Sequence, residues 1–298
     1  MASPKTHKAR LLLDTRCVLG EGPVWDARRQ LLHWVDIEGK RLFWYDPHSG
    51  KQESAIFDEM IGAVAPTQTG RLLLALESDL ASFDFETNAI TWHRALQNND
   101  PDLRCNDGKV GPNGHFWIGT MHKEEHSGAG ALYKVSPDFR VSTEIPNTTI
   151  SNGMAWSSDH SVFYYIDSPT HEVWRFDYDV ATGGISNKKV ALSVPEAYGT
   201  PDGMCSDTEG MLWIAHWGGN CVRRWNPDTG EVLEKVEVDA PHVTCCCFGG
   251  KDLDTLYITT ARSGMTNAAL EKFPNSGGLF ECRPDVKGIP IHYFEDRR

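Results

Sequence analysis

Gly22-Pro23-Val24-Trp25, Gln30-Leu31-Leu32-His33-Trp34-Val35-Asp36 and Arg41-Leu42-Phe43-Trp44-Tyr45-Asp46 are three short apolar runs divided by polar turns, and the last two end on Asp. The rhythm returns at Gly62-Ala63-Val64 with Arg71 to Leu76 and Leu80 to Asp84, and at Gly108-Lys109-Val110 with His115 to Gly119 and Ala131 to Val135. A fourth copy opens at Gly153-Met154-Ala155-Trp156 and a fifth at Gly203-Met204-Cys205; a sixth, without the leading glycine, opens at Val243. The glycines at 22, 62, 108, 153 and 203 set a period of about 40 to 50 residues. Turn signals such as Pro112-Asn113-Gly114 and Asp228-Thr229-Gly230 separate runs rich in Trp, Phe, Tyr, Val, Ile and Leu. Six such units predict an all-β chain folded as a six-bladed β-propeller, a single domain over residues 10–298. Residues 1–9 read as a disordered tail. The run from Arg10 to Cys17 precedes the first unit, and is expected to join the last blade and remove an open edge.

The 298 residues carry 29 Lys plus Arg against 41 Asp plus Glu, a formal charge of −12. That balance argues against a large nucleic-acid or anionic-membrane surface, which needs clustered cations. No apolar run approaches the roughly 20 residues of a membrane-spanning helix. The segment Met1 to Arg10 is polar and basic with no apolar stretch behind it, so a cytoplasmic protein is expected. Cys245, Cys246 and Cys247 are consecutive, and neighbours on a strand face opposite ways. They cannot all serve one metal or one disulfide, and the eight cysteines read as buried free thiols of a reducing compartment.

In a propeller the first strand of each blade lines the central channel. Before the repeat glycines stand Glu21, Asp107 (with Asn106 ahead of it), Asn152 and Asp202; the second unit has Ile61. Four of six equivalent positions thus bring oxygen ligands to one end of one channel. Taken singly, Asn-Gly and Asp-Gly are turn dipeptides. Their shared register, together with Glu21-Gly22, points to a site instead. Carboxylates gathered together repel unless protonated or bound to a cation, and a divalent ion with hard oxygen ligands resolves the repulsion.

The chain resembles the SMP-30/gluconolactonase/regucalcin-like family of six-bladed propellers. The resemblance rests on Leu19-Gly20-Glu21-Gly22-Pro23-Val24-Trp25, Arg104-Cys105-Asn106-Asp107-Gly108-Lys109-Val110, Gly119-Thr120-Met121, Ile150-Ser151-Asn152-Gly153-Met154 and Pro201-Asp202-Gly203-Met204-Cys205. It implies that Glu21, Asn152 and Asp202 hold one divalent ion (Ca, Zn, Mg, Mn or Fe(II)), and that Arg104, Asn106 and Glu124 face substrate hydroxyls. For Asp107, metal binding and loop support both stay open. The chain departs from the animal members by a shorter stretch between Glu124 and Ala131 and by His122-Lys123.

The implied activity is hydrolysis of a sugar (aldono-) lactone to the aldonic acid in cytoplasmic sugar catabolism. Asp202 would position and deprotonate the attacking water, while Arg104 and Asn106 select a polyhydroxylated substrate. The expected partner is a small sugar lactone bound to a monomer or small homo-oligomer. Competing readings are an arylesterase or phosphotriesterase-like hydrolase on the same scaffold, and a non-catalytic calcium-binding regulatory propeller. Neither a Gly-x-Ser-x-Gly elbow nor a phosphate-binding glycine loop occurs. His216, after a strand of the fifth unit, could reach the channel, as could His122; His33, within an apolar run, reads as a hydrogen-bonded core residue. Trp34, Trp117, Trp156 and Trp213 read as blade packing.

Overall fold

The computed structural model describes residues 4–296 apart from 78, 86 and 97–99. Its strands form six blades in a ring, a β-propeller, each built on four antiparallel strands, with a fifth added to one of them. The first strands are Gly20–Asp26, Ala63–Pro66, Leu103–Val110, Ser151–Trp156, Thr200–Ser206 and Val243–Gly249. Each touches the first strand of the next blade, and the sixth touches the first, so together they wall the channel. Among the described residues the only α-helix is Asn267–Lys272. It spans far too few residues to cross a bilayer.

The ring closes as the sequence predicts. Arg10–Leu13 lies antiparallel to Leu279–Cys282, with Arg10 opposite Glu281 and Leu11 opposite Phe280, and completes blade six. The tail differs from expectation. Lys5–Lys8 forms a strand parallel to Val232–Glu237 and extends blade five to five strands, while residues 1–3 lie outside the described ones. The physical reason is the open edge of blade five, whose backbone groups need partners; His7 Nε2 also reaches Glu234 Oε2 at 2.7 Å. Charged, non-periodic sequence gives no sign of that pairing.

The core is six wedges rather than one centre, since a separate apolar cluster fills each of the interfaces between neighbouring blades. Trp117 and Trp156 stand between blades three and four, Trp34 between six and one, Trp213 between five and six. Their packing reading is therefore met. Cys246 faces the blade five–six wedge and Cys247 the six–one wedge, as strand alternation requires, and all eight cysteines are free.

Close approach around the axis explains the repeat glycines. A Cβ on Gly203 would lie 2.2 Å from Cys245 Sγ and 2.9 Å from Cys245 Cα; one on Gly153 would lie 2.5 Å from the Asp202 carbonyl oxygen. The Asn-Gly and Asp-Gly pairs are thus not turns here. They lie inside strands, at points where one blade's backbone meets the next.

Candidate functional site

Pairing of the first strand with the second slips between Glu21 and Val24, between Cys105 and Gly108, between Asn152 and Met154, and between Pro201 and Met204. A bulge inserts an unpaired residue and re-aims its side chain. Because the bulge recurs at one level of the repeat, Glu21, Asn106, Asn152 and Asp202 all line a single cavity of about 460 Å³, together with Arg104. All five are buried, none more than 9% exposed.

The approaches to these bulges are fixed by the acids that end two of the second strands. Asp36 accepts N–H bonds from Val18 and Leu19, both at 2.9 Å, just ahead of Glu21. Asp167 accepts from Thr149 (3.1 Å) and Ile150 (2.9 Å), just ahead of Asn152. The acid that closes each of these runs therefore holds the loop leading into its own blade's site residue.

Inside the cavity the amide of Asn152 is turned by Ser168. Its Nδ2 donates to Ser168 Oγ at 3.0 Å, while Oδ1 is buried with no hydrogen-bond partner. Asp202 Oδ1 and Asp107 Oδ2 are likewise buried and unpartnered. Such groups are costly unless satisfied. Burial first, then the charges of Asp202 and Asp107, drives the Glu21 carboxyl well above the ordinary carboxylate range. Burial and the charge of Asp107 do the same to Asp202. The orphaned oxygens of Asn152 and Asp202, hard donors lining one cavity, suit a hard divalent cation.

Arg104 is the cationic counterpart. Its Nη1 donates to the Cys105 carbonyl (3.0 Å) and to Asn106 Oδ1 (2.7 Å), and Asn106 Nδ2 donates in turn to the Ser151 carbonyl at 2.9 Å. Asn106 therefore holds the guanidinium in place rather than presenting a free oxygen to the cavity. Asp107 sits at a boundary. It lines a second, narrower and mostly apolar cavity of about 80 Å³ along the rest of the channel, beside Lys109 and beneath Ile289–Ile291. Burial raises its carboxyl, and the nearby Lys109 ammonium opposes that rise.

Two expected site residues lie elsewhere. Glu124 is exposed and is not in the cavity wall; its neighbours Lys123 and Glu125 are. A turn closed by Glu125 N–H to the His122 carbonyl (2.9 Å), with Glu125 at φ 58°, moves the side chains one place out of the expected register. His216 is fully buried beside Trp225, outside the cavity, with Nε2 accepting from Trp225 Nε1 at 3.4 Å. Burial lowers its pKa to about 3. His33 is buried in the core as expected, yet neither ring nitrogen has a hydrogen-bond partner, and burial lowers its pKa to about 4. Sequence reasoning missed Lys123, Glu125, Glu38 and Ser168. Only Ser168 carried a signal, by following the run-ending Asp167.

The fold and the site together define a propeller with an oxygen-donor cluster and one arginine at one end of its axis. The chain belongs to the family described as SMP-30/gluconolactonase/LRE-like, matching it over residues 19–262. Regucalcin of Danio rerio is 41% identical over 290 residues, covering 96% of this chain and 98% of that protein. A Bacillus subtilis protein, YvrE, provisionally named as a sugar lactone lactonase, is 35% identical over 97% of this chain and 99% of its own. Among solved structures, a calcium-binding protein, regucalcin, from Agrobacterium tumefaciens superposes with a TM-score of 0.94 at 30% identity, covering 99% of this chain and 100% of that one.

Proposed function

We propose that this protein hydrolyses a sugar (aldono-) lactone to its aldonic acid with one divalent cation. The observation that carries the reading is the pair of buried, unpartnered oxygens, Asp202 Oδ1 and Asn152 Oδ1, in a cavity shared with Glu21 and Arg104. Those residues fit a hard ion, with Glu21, Asn152 and Asp202 as its holders. When bound there, a divalent cation supplies a Lewis acid for the lactone carbonyl.

The remaining work falls to the chain itself. Asp202, a buried carboxylate in the cavity wall, would take a proton from the attacking water. Arg104, immobilised by Asn106, donates to ring hydroxyls from a fixed position, which favours a polyhydroxylated substrate over an apolar ester. Ser168 keeps the Asn152 oxygen turned inward. The cavity falls within the usual range for small-ligand sites. The names of YvrE and of the family point the same way. Charged residues in the wall, Glu38 and Lys123 among them, speak against an arylesterase. The eight unpaired thiols suit the cytoplasm and its reducing conditions.

The test is lactone hydrolysis, followed by acid release, on chelator-stripped protein with Mg, Ca, Mn, Zn and Fe(II) restored singly against pentono- and hexono-lactones. Turnover restored by an ion and abolished by Asp202→Ala is the expected result. Folded, ion-loaded protein that turns over no lactone would instead favour the second reading, a calcium-binding propeller, toward which the Agrobacterium relative's description leans.

A further inference from the structure

The turn that displaces Glu124 from the cavity gathers it with two histidines. His122 ends the strand Phe116–His122, and Glu124 and His126 follow at alternate positions. One ligand atom from each of His122, Glu124 and His126 lies within 4.8 Å of the others. The two imidazoles stack, with ring centroids 3.8 Å apart, and His126 Nε2 stands 3.4 Å from Glu124 Oε2. His122 Nδ1 accepts the Glu124 backbone N–H at 3.0 Å, which fixes the ring on the turn. Glu124 and His126 are exposed and His122 half-buried, so the side chains can swing together at little cost.

We propose that His122, Glu124 and His126 form a second metal site, outside the channel, that takes a borderline first-row ion of the Zn²⁺ class. Two imidazole nitrogens and one carboxylate oxygen with water in the fourth position make a tetrahedral shell. Ligand atoms around Zn²⁺ stand roughly 3.3 Å apart, so the side chains close by only about an ångström or two on binding. This donor set is chemically distinct from the all-oxygen set on the axis: imidazole suits Zn, Ni and Cu and is a poor ligand for Ca²⁺. The site also has a consequence for the cavity. Lys123 and Glu125, which interleave with the three ligands, line the cavity wall. An ion on the outer face therefore clasps the turn that presents them.

The experiment uses the full-length protein in excess Ca²⁺, which saturates oxygen sites. Zn²⁺ is added by equilibrium dialysis to the wild type and to His126→Asn, whose exposed side chain makes it a mild change to the fold. The variant is expected to bind one equivalent fewer. In parallel, Ni²⁺ should broaden the ring resonances of His122 and His126 before those of the other ten histidines, and Zn²⁺ should slow amide exchange across 122–126 in the wild type alone. Equal Zn²⁺ stoichiometry in the two proteins, or broadening that falls first on other histidines, overturns the site. A Glu124→Gln variant, expected to weaken Zn²⁺ binding without abolishing it, checks that the carboxylate takes part.

Discussion

Asp202→Asn should make the ion-free protein more stable while removing its response to a divalent cation. Asp202 carries a buried, unpartnered oxygen and a carboxyl raised by burial and by Asp107. The amide keeps the shape and a buried polar atom but removes the charge that burial and Asp107 penalise; each pKa unit of that penalty is about 1.4 kcal/mol, so a gain of about 1–3 kcal/mol is expected. At about 2.1 cal/mol/K per residue, 298 residues unfold with an entropy near 0.6 kcal/mol/K. The expected gain in Tm without ion is therefore roughly 2–5 °C. The sign of the pH dependence follows from linkage. A carboxyl with a raised folded pKa binds more protons folded than unfolded, so its stability cost is absent below the ordinary carboxylate range. That cost grows as pH rises through the folded value. The advantage of the variant should accordingly be larger at pH 8 than at pH 5. In the wild type, Ca²⁺ at 100 times its Kd adds about 2.7 kcal/mol, close to 4 °C, and the variant should lose that rise. Scanning calorimetry in chelator and in Ca²⁺, at both pH values, reads all of these quantities. An ion-free Asp202→Asn that melts below the wild type, or that keeps the full Ca²⁺ shift, would refute the reasoning.

Asn106→Ala should free the Arg104 guanidinium and lower kcat/KM by about ten- to a hundredfold, the equivalent of 1–3 kcal/mol for a hydrogen bond to a charged group. Steady-state kinetics on the best lactone of the panel would show it, and an unchanged kcat/KM would contradict the positioning role. Gly203→Ala, whose Cβ would meet Cys245 Sγ at 2.2 Å, should cost about 1–3 kcal/mol in denaturant unfolding. Adding Cys245→Ala should recover only part of that, since the clash with Cys245 Cα persists. Trp117→Ala should cost about 3–5 kcal/mol by emptying the wedge between blades three and four. His33, with its folded pKa near 4, is neutral in the fold. Its contribution is complete above pH 6.5 and lost as pH falls from there toward 4. His33→Phe should therefore flatten part of the acid limb of the stability curve, leaving the share due to His216.

The strands, their order and the closing role of Arg10–Leu13 were legible because each blade needs the same alternation and the same turns, and repetition made a weak local signal strong. The register of Glu21, Asn152 and Asp202 was legible for the same reason: equivalent positions in equivalent blades reach equivalent places, so a one-dimensional spacing becomes a ring of ligands. Glu124 and the tail show where that logic stops. Neither segment repeats. A single left-handed residue, Glu125, decides which side chains of the turn face the cavity. The open edge of blade five, and no pattern in Lys5–Lys8 itself, makes that segment a strand. His216 failed for a related reason. It was placed after its strand, whereas the strand Leu212–Trp217 runs on through it, and the face on which it packs is set by Trp225 on the next strand. The sequence by itself determined the propeller and the axial set of oxygen donors, since both are consequences of period and alternation. Only the tertiary structure decided that Asn106 serves Arg104, that Asp107 faces Lys109, and that His122, Glu124 and His126 meet outside the channel. Those outcomes depend on how one bulged strand, Leu103–Val110, and one turn aim side chains only two residues apart, and sequence spacing does not encode such directions.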